Sequence, residues 1–126
     1  MSRATTTALA RYIGVGAAAT LAHWALLAAL VEVGQIAPWL ASGAGAVLGS
    51  QVAFFGNRRF TFDHAGPLWP AWWRFMSTAL LGAALGMAVV AAGVGLGLHY
   101  LLAQALATGL SMLLTFAVNR GWTFAR

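Results

Sequence analysis

The sequence predicts an all-α membrane protein, with four transmembrane helices arranged as two tandem, parallel-repeat helical hairpins and both termini cytoplasmic. Three observations predict this fold class: the composition, four long apolar runs and a motif that occurs twice. Of the 126 residues, 61% are hydrophobic and only 7% are charged, whereas soluble domains carry about 25% charged residues. Because so few charges cannot cover a soluble surface, we expect the surface to face lipid.

Apolar runs of membrane-crossing length make up most of the chain. They cover residues 13–31, 39–55, 75–98 and 100–118. Each is close to the roughly 20 residues that cross a hydrocarbon core about 30 Å thick. Arg3 and Arg11 precede the first run, as in a signal peptide, but this run exceeds the roughly 7–15 apolar residues of such a segment. We therefore predict four transmembrane helices.

The positions of the basic residues predict the orientation. All seven are Arg, and they occur only near the two termini and in the connection at residues 57–74. The links at residues 32–38 and 96–100 contain none. By the positive-inside rule, both termini and the central connection are therefore cytoplasmic. Pro67 and Pro70 prevent that connection from forming one continuous helix.

A nine-residue motif occurs twice, each time after an apolar run. Residues 54–62 read FFGNRRFTF and residues 116–124 read FAVNRGWTF, an offset of 62. Both follow the pattern Phe-x-x-Asn-Arg-x-aromatic-Thr-Phe. An Arg-aromatic pair, at residues 11–12 and again at residues 74–75, opens the first and third helices with an offset of 63.

These offsets divide the chain into two similar helical hairpins. Because a hairpin crosses the membrane twice, both hairpins enter from the same side and form a parallel repeat about an axis along the membrane normal. We predict a single transmembrane domain over residues 1–126, with repeat 1 at about residues 11–62 and repeat 2 at about residues 74–124. The one-residue difference between the offsets is most simply placed in an outer link.

The residues that carry this pattern resemble a known family. The segment RYIGVG at residues 11–16, the four spans and the doubled Asn-Arg-x-aromatic-Thr-Phe motif are similar to the GtrA-like family of small bacterial membrane proteins. The resemblance covers nearly the whole chain, although Phe60 stands where the family often carries Trp. It implies a multi-pass protein of the bacterial inner membrane that flips a polyprenyl-phosphate-linked sugar to the outer leaflet. The implied partners are that lipid, membrane lipid and a separate membrane glycosyltransferase.

Asn and Arg at four cytoplasmic helix ends form a candidate phosphate site. Arg forks match phosphate oxygens bidentately, and a sugar offers partners for amides and aromatic faces. The candidate headgroup ligands are Arg11, Asn57, Arg58, Arg74, Asn119 and Arg120, and the candidate aromatic contacts are Tyr12, Phe60, Phe62, Phe75, Trp122 and Phe124. The alternative is structural: Arg sets the topology and caps helix ends, and the aromatic residues form an interfacial belt.

A polar stripe on the fourth helix is a candidate translocation path. Its members recur at intervals of four, three and four residues, which places them on one helix face; they are Gln104, Thr108, Ser111 and Thr115. The equivalent positions on the second helix are Ser42, Ala46, Gly49 and Ala53. The alternative is that the hydroxyls bond back to their own helix and the small residues permit close packing.

His23 is the fifth candidate on the translocation path. It lies 12 residues after Arg11, or about 18 Å at 1.5 Å per residue, near the membrane midplane. Intramembrane ionisable groups are functional candidates by default. A neutral His bonded inside the bundle is the alternative to proton coupling.

Glycine pairs predict close helix packing. Gly45 and Gly49, like Gly82 and Gly86, form the small-xxx-small pattern that lets helices approach. The pattern serves contacts within one chain and contacts between copies equally well. We therefore keep a homo-oligomer among the expectations.

Several function classes are disfavoured. The chain has no Cys and only two acids, Glu32 and Asp63, so we expect neither an enzyme nor a metal or other cofactor. Nucleic-acid binding is not expected, because the Arg residues flank apolar runs rather than a solvated face. A multidrug-type transporter would need a mid-span carboxylate for its cationic substrates. The remaining alternative to a flippase is a non-transporting membrane anchor or regulatory subunit that recruits a glycosyltransferase to its lipid substrate.

Overall fold

The computed structural model describes residues 2–61 and 66–118, with side chains described as far as residue 114. The described chain folds into four α-helices in sequence order. They are α1 (Arg3–Glu32), α2 (Pro38–Gly56), α3 (Leu68–Gly95) and α4 (Tyr100–Val118). A π-helical turn at Asn57–Thr61 continues α2, so residues 54–61 of the first motif copy lie on α2 and its extension rather than beyond a helix end.

Two helices begin earlier than the apolar runs predict. The first starts at Arg3, because the Ser2 hydroxyl accepts a hydrogen bond from the Thr5 backbone N–H at 3.1 Å and caps the helix. The third starts at Leu68 rather than near residue 74. It contains Pro70 in its first turn, where the missing N–H would have no intrahelical partner.

The helices pack mainly with their neighbours in sequence. The contacts of α1 with α2, α2 with α3 and α3 with α4 are extensive, and the π-helical turn packs against α1 and α2. Within the described residues, no contact of similar extent joins α1 to α4. The two hairpins therefore meet along α2 and α3 and leave space on the opposite side.

The glycine pairs serve contacts within each hairpin. A Cβ added at Gly45 would lie 2.6 Å from Cδ2 of His23, and one at Gly49 would lie 2.9 Å from the Ala19 carbonyl oxygen. Gly82 instead faces Cβ of Ser111 at 3.9 Å. Gly45 and Gly49 therefore let α2 approach α1, whereas a Cβ at Gly82 would make only an ordinary contact with α4. Self-association stays a prediction.

The two outer links resemble each other. They cover residues 33–37 and 96–99, so the first is one residue longer, which is where the difference between the offsets was expected. Gln35 and Gly97 both have a positive φ, of 54° and 92°. Across these ends, the Tyr100 hydroxyl donates a hydrogen bond of 2.8 Å to the Glu32 carboxylate. This exposed contact joins α4 to α1.

Membrane-crossing character differs among the helices. In the part of the chain that the structure describes, Arg3–Glu32 and Leu68–Gly95 are long and apolar enough to cross a membrane, and Tyr100–Leu114 is a shorter apolar segment. The second helix contains Ser42, Ser50 and Gln51, and the fourth contains Gln104, Thr108 and Ser111. These two helices therefore carry most of the polar side chains described below.

Candidate functional site

Two adjoining cavities lie between the hairpins. The central cavity has a volume of about 460 Å³ and is lined by all four helices. The second, here called the Arg58 cavity, has a volume of about 670 Å³ and lies toward the π-helical turn. Both are partly open. They share five lining residues and therefore adjoin each other: Tyr12, Thr20, Ala53, Phe75 and Met112.

The lining of the central cavity is rich in neutral polar side chains. These are Thr20, His23, Ser42, Ser50, Thr78, Gln104, Thr108 and Ser111. The predicted stripe members Gln104, Thr108 and Ser111 thus lie together, facing the equivalent positions of α2. Thr115 belongs to α4, but its side chain lies outside the described residues.

A hydrogen-bonded chain runs through this lining. The Ser42 hydroxyl donates to Oε1 of Gln104 at 2.5 Å, and Nε2 of Gln104 donates to the Thr108 hydroxyl at 3.1 Å. Ser42 and Gln104 are both 2% exposed. The Ser111 hydroxyl donates to the Gly82 carbonyl oxygen of α3 at 3.0 Å. The interpretation that these hydroxyls bond back to their own helix is therefore wrong for Ser42 and Ser111, whose bonds cross between helices.

His23 lies in the same region, against α2. Its ring is close to Ser42 and Gln104. Nε2 is buried and has no hydrogen-bond partner among the residues that the structure describes. His23 therefore stays a predicted member of the translocation path, and a neutral His held inside the bundle stays the alternative.

The Arg58 cavity combines a polar end with apolar walls. Asn57 and Arg58 line it at the π-helical turn, together with Tyr12, Phe75 and mostly apolar side chains. Nη2 of Arg58 donates to the Gly66 carbonyl oxygen at 2.7 Å. The Thr61 hydroxyl donates to Oδ1 of Asn57 at 2.7 Å, which leaves the amide N–H groups of Asn57 as its donors. This arrangement suits a molecule with an anionic head and an apolar tail.

The other predicted headgroup residues in the described chain lie outside both cavities. Arg11 is exposed, and its Nη1 donates to the Phe60 carbonyl oxygen at 3.2 Å, which ties α1 to the π-helical turn. Phe60 is exposed beneath the Arg59 guanidinium, 5.6 Å from the ring centroid. Arg74 is exposed on α3. The structure thus brings Asn57, Arg58 and two predicted aromatic residues together, but not Arg11 or Arg74.

Part of the predicted site lies outside the described residues. This part comprises Phe62, Asn119, Arg120, Trp122 and Phe124. The proposed convergence of all four helix ends on one phosphate stays a prediction.

Sequence reasoning missed three polar residues of the central cavity: Thr20, Ser50 and Thr78. Thr20 precedes His23 by three residues, and Thr78 follows Phe75 by three, so each shares a helix face with a predicted site residue. This three-residue spacing could have identified Thr20 and Thr78 from the sequence. The Ser50 hydroxyl bonds to the Ala46 carbonyl oxygen of its own helix at 2.6 Å, as expected for a Ser that only packs.

Comparison with known proteins bears on this arrangement. A family model described as GtrA/DPMS, transmembrane domain, matches residues 11–126, which is most of the chain. The resemblance predicted from residues 11–16 and the doubled motif is therefore confirmed. No curated protein and no solved structure matches the chain.

Proposed function

Because the chain belongs to the GtrA/DPMS transmembrane-domain family, we propose that it is a flippase for a polyprenyl-phosphate-linked sugar. The family makes it a membrane protein concerned with lipid-linked sugar translocation or glycosylation, and its domain is generally a non-catalytic one. The finer function rests on one observation, that the Arg58 cavity and the central cavity adjoin and share five lining residues. A headgroup bound beside Arg58 would therefore lie next to the polar lining of the central cavity.

The proposed setting is the bacterial inner membrane, with four crossing helices and both termini cytoplasmic. The Arg distribution supports this orientation. The shorter helices, Pro38–Gly56 and Tyr100–Val118, each have 19 residues, or about 28 Å at 1.5 Å per residue. That length is close to the roughly 30 Å thickness of the hydrocarbon core. In this setting the Arg58 cavity lies at the cytoplasmic end.

The hairpins are proposed to be repeats related by an approximate twofold axis. Contacts at matching positions support this proposal. The Ser42–Gln104 hydrogen bond joins positions 62 residues apart. Gly49 lies against the Ala19 carbonyl, and the matching Ser111 donates to the Gly82 carbonyl. Matching pairs of positions thus meet where the two helices of each hairpin pack, which supports the proposed repeat.

Binding would begin at the π-helical turn. The Arg58 guanidinium supplies a positive charge and a planar fork of N–H donors, one of which bonds to the Gly66 carbonyl oxygen, and this fork matches the oxygens of a phosphate. The Asn57 amide and the rings of Tyr12 and Phe75 border the same space. They offer a sugar a hydrogen-bond donor and apolar faces.

Translocation would pass through the central cavity. A sugar carries several hydroxyls, and each hydroxyl that loses water without a replacement partner costs about 1–3 kcal/mol. Thr20, Thr78 and the Gln104–Thr108 pair line this cavity and offer the sugar hydroxyls hydrogen-bond partners in place of water. A subunit that only recruits a glycosyltransferase would need the outer surface of the chain, but it would have no use for this lining.

The decisive experiment uses vesicles that contain only this protein. Polyprenyl-phosphate glucose is placed in both leaflets, and an impermeant sugar-oxidising reagent reports the rate at which protected headgroups reach the outside. We expect protein-dependent translocation of the sugar-phosphate headgroup. A rate equal to that of protein-free vesicles, with the lipid still bound, would favour the recruiting subunit.

A further inference from the structure

The interface between α2 and α3 is closed by a polar contact. Nε2 of Gln51 donates to Sδ of Met76 at 3.1 Å, and the Trp72 indole N–H donates to Oε1 of Gln51 at 2.9 Å. Met76 is only 5% exposed. Gln51 of α2 thus accepts a hydrogen bond from one residue of α3 and donates one to another. The two helices cannot separate here without breaking both hydrogen bonds.

The matching positions on the other side of the bundle make no such contact. The offset of 62 relates Gln51 to Leu113, and the offset of 63 relates Met76 to Ile13 and Trp72 to Leu9. These three apolar side chains are 67%, 61% and 46% exposed, respectively. Although the Tyr100–Glu32 hydrogen bond joins α4 to α1 at the end of α1, these two helices lack the extensive packing that joins α2 to α3. One side of the bundle is therefore closed, and the other is open and apolar below that hydrogen bond.

We propose that this α1–α4 gap is a lateral opening that holds the polyisoprenoid tail of a lipid whose phosphate lies beside Arg58. The inference rests on the proposed function and adds to it the route of the tail. Met112 supports it, because this residue lines both cavities and is also 68% exposed. The cavities therefore reach the surface of α4, where the tail can stay in the membrane while the headgroup advances.

The chemistry of the gap favours a lipid over a second copy of the chain. Its walls near the Arg58 cavity are apolar, with Ile13, Gly16 and Met112 among them, and one end carries Asn57 and Arg58. An amphiphile with one phosphate and a long tail satisfies both parts. A helix from another copy would set an apolar surface against the positive charge of Arg58, which is costly because a buried charge needs an opposite charge.

Photolabelling of the full chain in liposomes tests the proposal. One probe is polyprenyl phosphate with a diazirine in its tail, and the other is phosphatidylglycerol with a diazirine in an acyl chain. Mass spectrometry should find the polyprenyl probe several-fold enriched at Leu9, Ile13 and Leu113 over Leu80 and Leu81, which are 52% and 51% exposed on α3. The phosphatidylglycerol probe should show no such preference. Equal labelling of all these positions by the polyprenyl probe would overturn the proposal.

A bridging experiment adds a matched pair of variants, since the chain has no Cys. Ile13→Cys with Leu113→Cys, joined by a short bifunctional thiol reagent, closes the gap. Gln51→Cys with Met76→Cys bridges the equivalent positions of the closed interface. Bridging the gap should weaken binding of polyprenyl phosphate about tenfold, equivalent to about 1.4 kcal/mol, whereas the control bridge should leave it nearly unchanged.

The outcomes separate the two proposals. Headgroup translocation that continues at the normal rate with the gap bridged overturns the lateral opening but leaves the flippase proposal standing. Reaction between Ile13→Cys of one copy and Leu113→Cys of another, giving a dimer, assigns the gap to a second copy. No binding of polyprenyl phosphate by the parent protein overturns both.

Discussion

Ser42 and Gln104 form a hydrogen bond of 2.5 Å between buried side chains, and the two positions, 62 residues apart, match each other in the proposed repeat. Two equivalent positions can touch only close to the axis that relates them. The bond therefore marks where the proposed twofold axis passes between α2 and α4, one turn from the start of each helix. Because the two residues differ, the hydrogen bond has one direction, from the Ser42 hydroxyl to Gln104. The proposed twofold symmetry is therefore only approximate at its axis.

This pair is expected to couple the hairpins. Ser42→Ala leaves Oε1 of Gln104 buried without its donor, and Gln104→Leu removes the acceptor. Hydrogen bonds between membrane helices contribute roughly 0.6–1.7 kcal/mol, so each single variant should lower the free energy of unfolding by about that amount.

A double-mutant cycle measures the coupling by denaturation in detergent. The double variant should lose less than the sum of the two single losses. Strictly additive losses would show that the pair does not stabilise the association of the hairpins.

The sequence predicts the helices better than it predicts the spaces between them. Apolar runs identify all four helices, and the spacing of Gln104, Thr108 and Ser111 identifies a cavity-lining face. The early start of α3 was missed, because a Pro in a first turn costs no hydrogen bond. The α1–α4 gap was also missed. Which helices touch depends on packing across the whole bundle, and Ile13 and Leu113 read like any lipid-facing residues.

Arg58 should dominate phosphate binding among the described arginines. Charge-assisted hydrogen bonds contribute about 1.5–3 kcal/mol, so Arg58→Ala should weaken binding of polyprenyl phosphate roughly tenfold to a hundredfold. Arg58→Lys should recover part of this, because it keeps the charge but loses the planar fork. Binding is measured by fluorescence titration in nanodiscs.

Arg59→Ala is the matched control for this prediction. It removes the same charge from the next residue, which is exposed and stacked on Phe60. Equal losses for Arg58→Ala and Arg59→Ala would mean that the arginines act only through general surface charge.

Gly45 should be intolerant of any side chain. A Cβ there would lie 2.6 Å from both Cδ2 and the carbonyl oxygen of His23, and the backbone cannot retreat as a flexible side chain can. Overpacking of this kind costs about 1–3 kcal/mol, so Gly45→Ala should lower the melting temperature. Gly14→Ala, where nothing lies within 4 Å of the new Cβ, should be neutral or slightly stabilising. Equal stability of the two variants would argue against close α1–α2 packing at His23.

The orientation is tested with single cysteines, since the parent has none. We expect Gln35→Cys, in the first outer link, to react with a membrane-impermeant maleimide added from outside the cell. Ser2→Cys and His64→Cys should react only after the membrane is opened. Labelling of position 35 from the cytoplasmic side alone would reverse the proposed topology.

The last prediction separates transport from binding. Thr108 and Ser111 line the central cavity but not the Arg58 cavity, so replacing them should affect the passage of the headgroup and not its initial capture. Thr108→Val with Ser111→Ala keeps similar volumes and removes two hydroxyls, including the one that donates to the Gly82 carbonyl. At roughly 0.6–1.7 kcal/mol for each lost hydrogen bond, the fold should survive.

This double variant should bind polyprenyl-phosphate glucose almost normally and translocate it more slowly in vesicles. Ser77→Ala is its control, because the Ser77 hydroxyl is exposed and bonds only to the Trp73 carbonyl oxygen of its own helix, at 2.7 Å. The control should translocate at the parental rate. Equal rates for the double variant and the parent, at matched protein levels, would mean that the polar lining does not serve translocation. Recruitment of a glycosyltransferase would then be the better proposal.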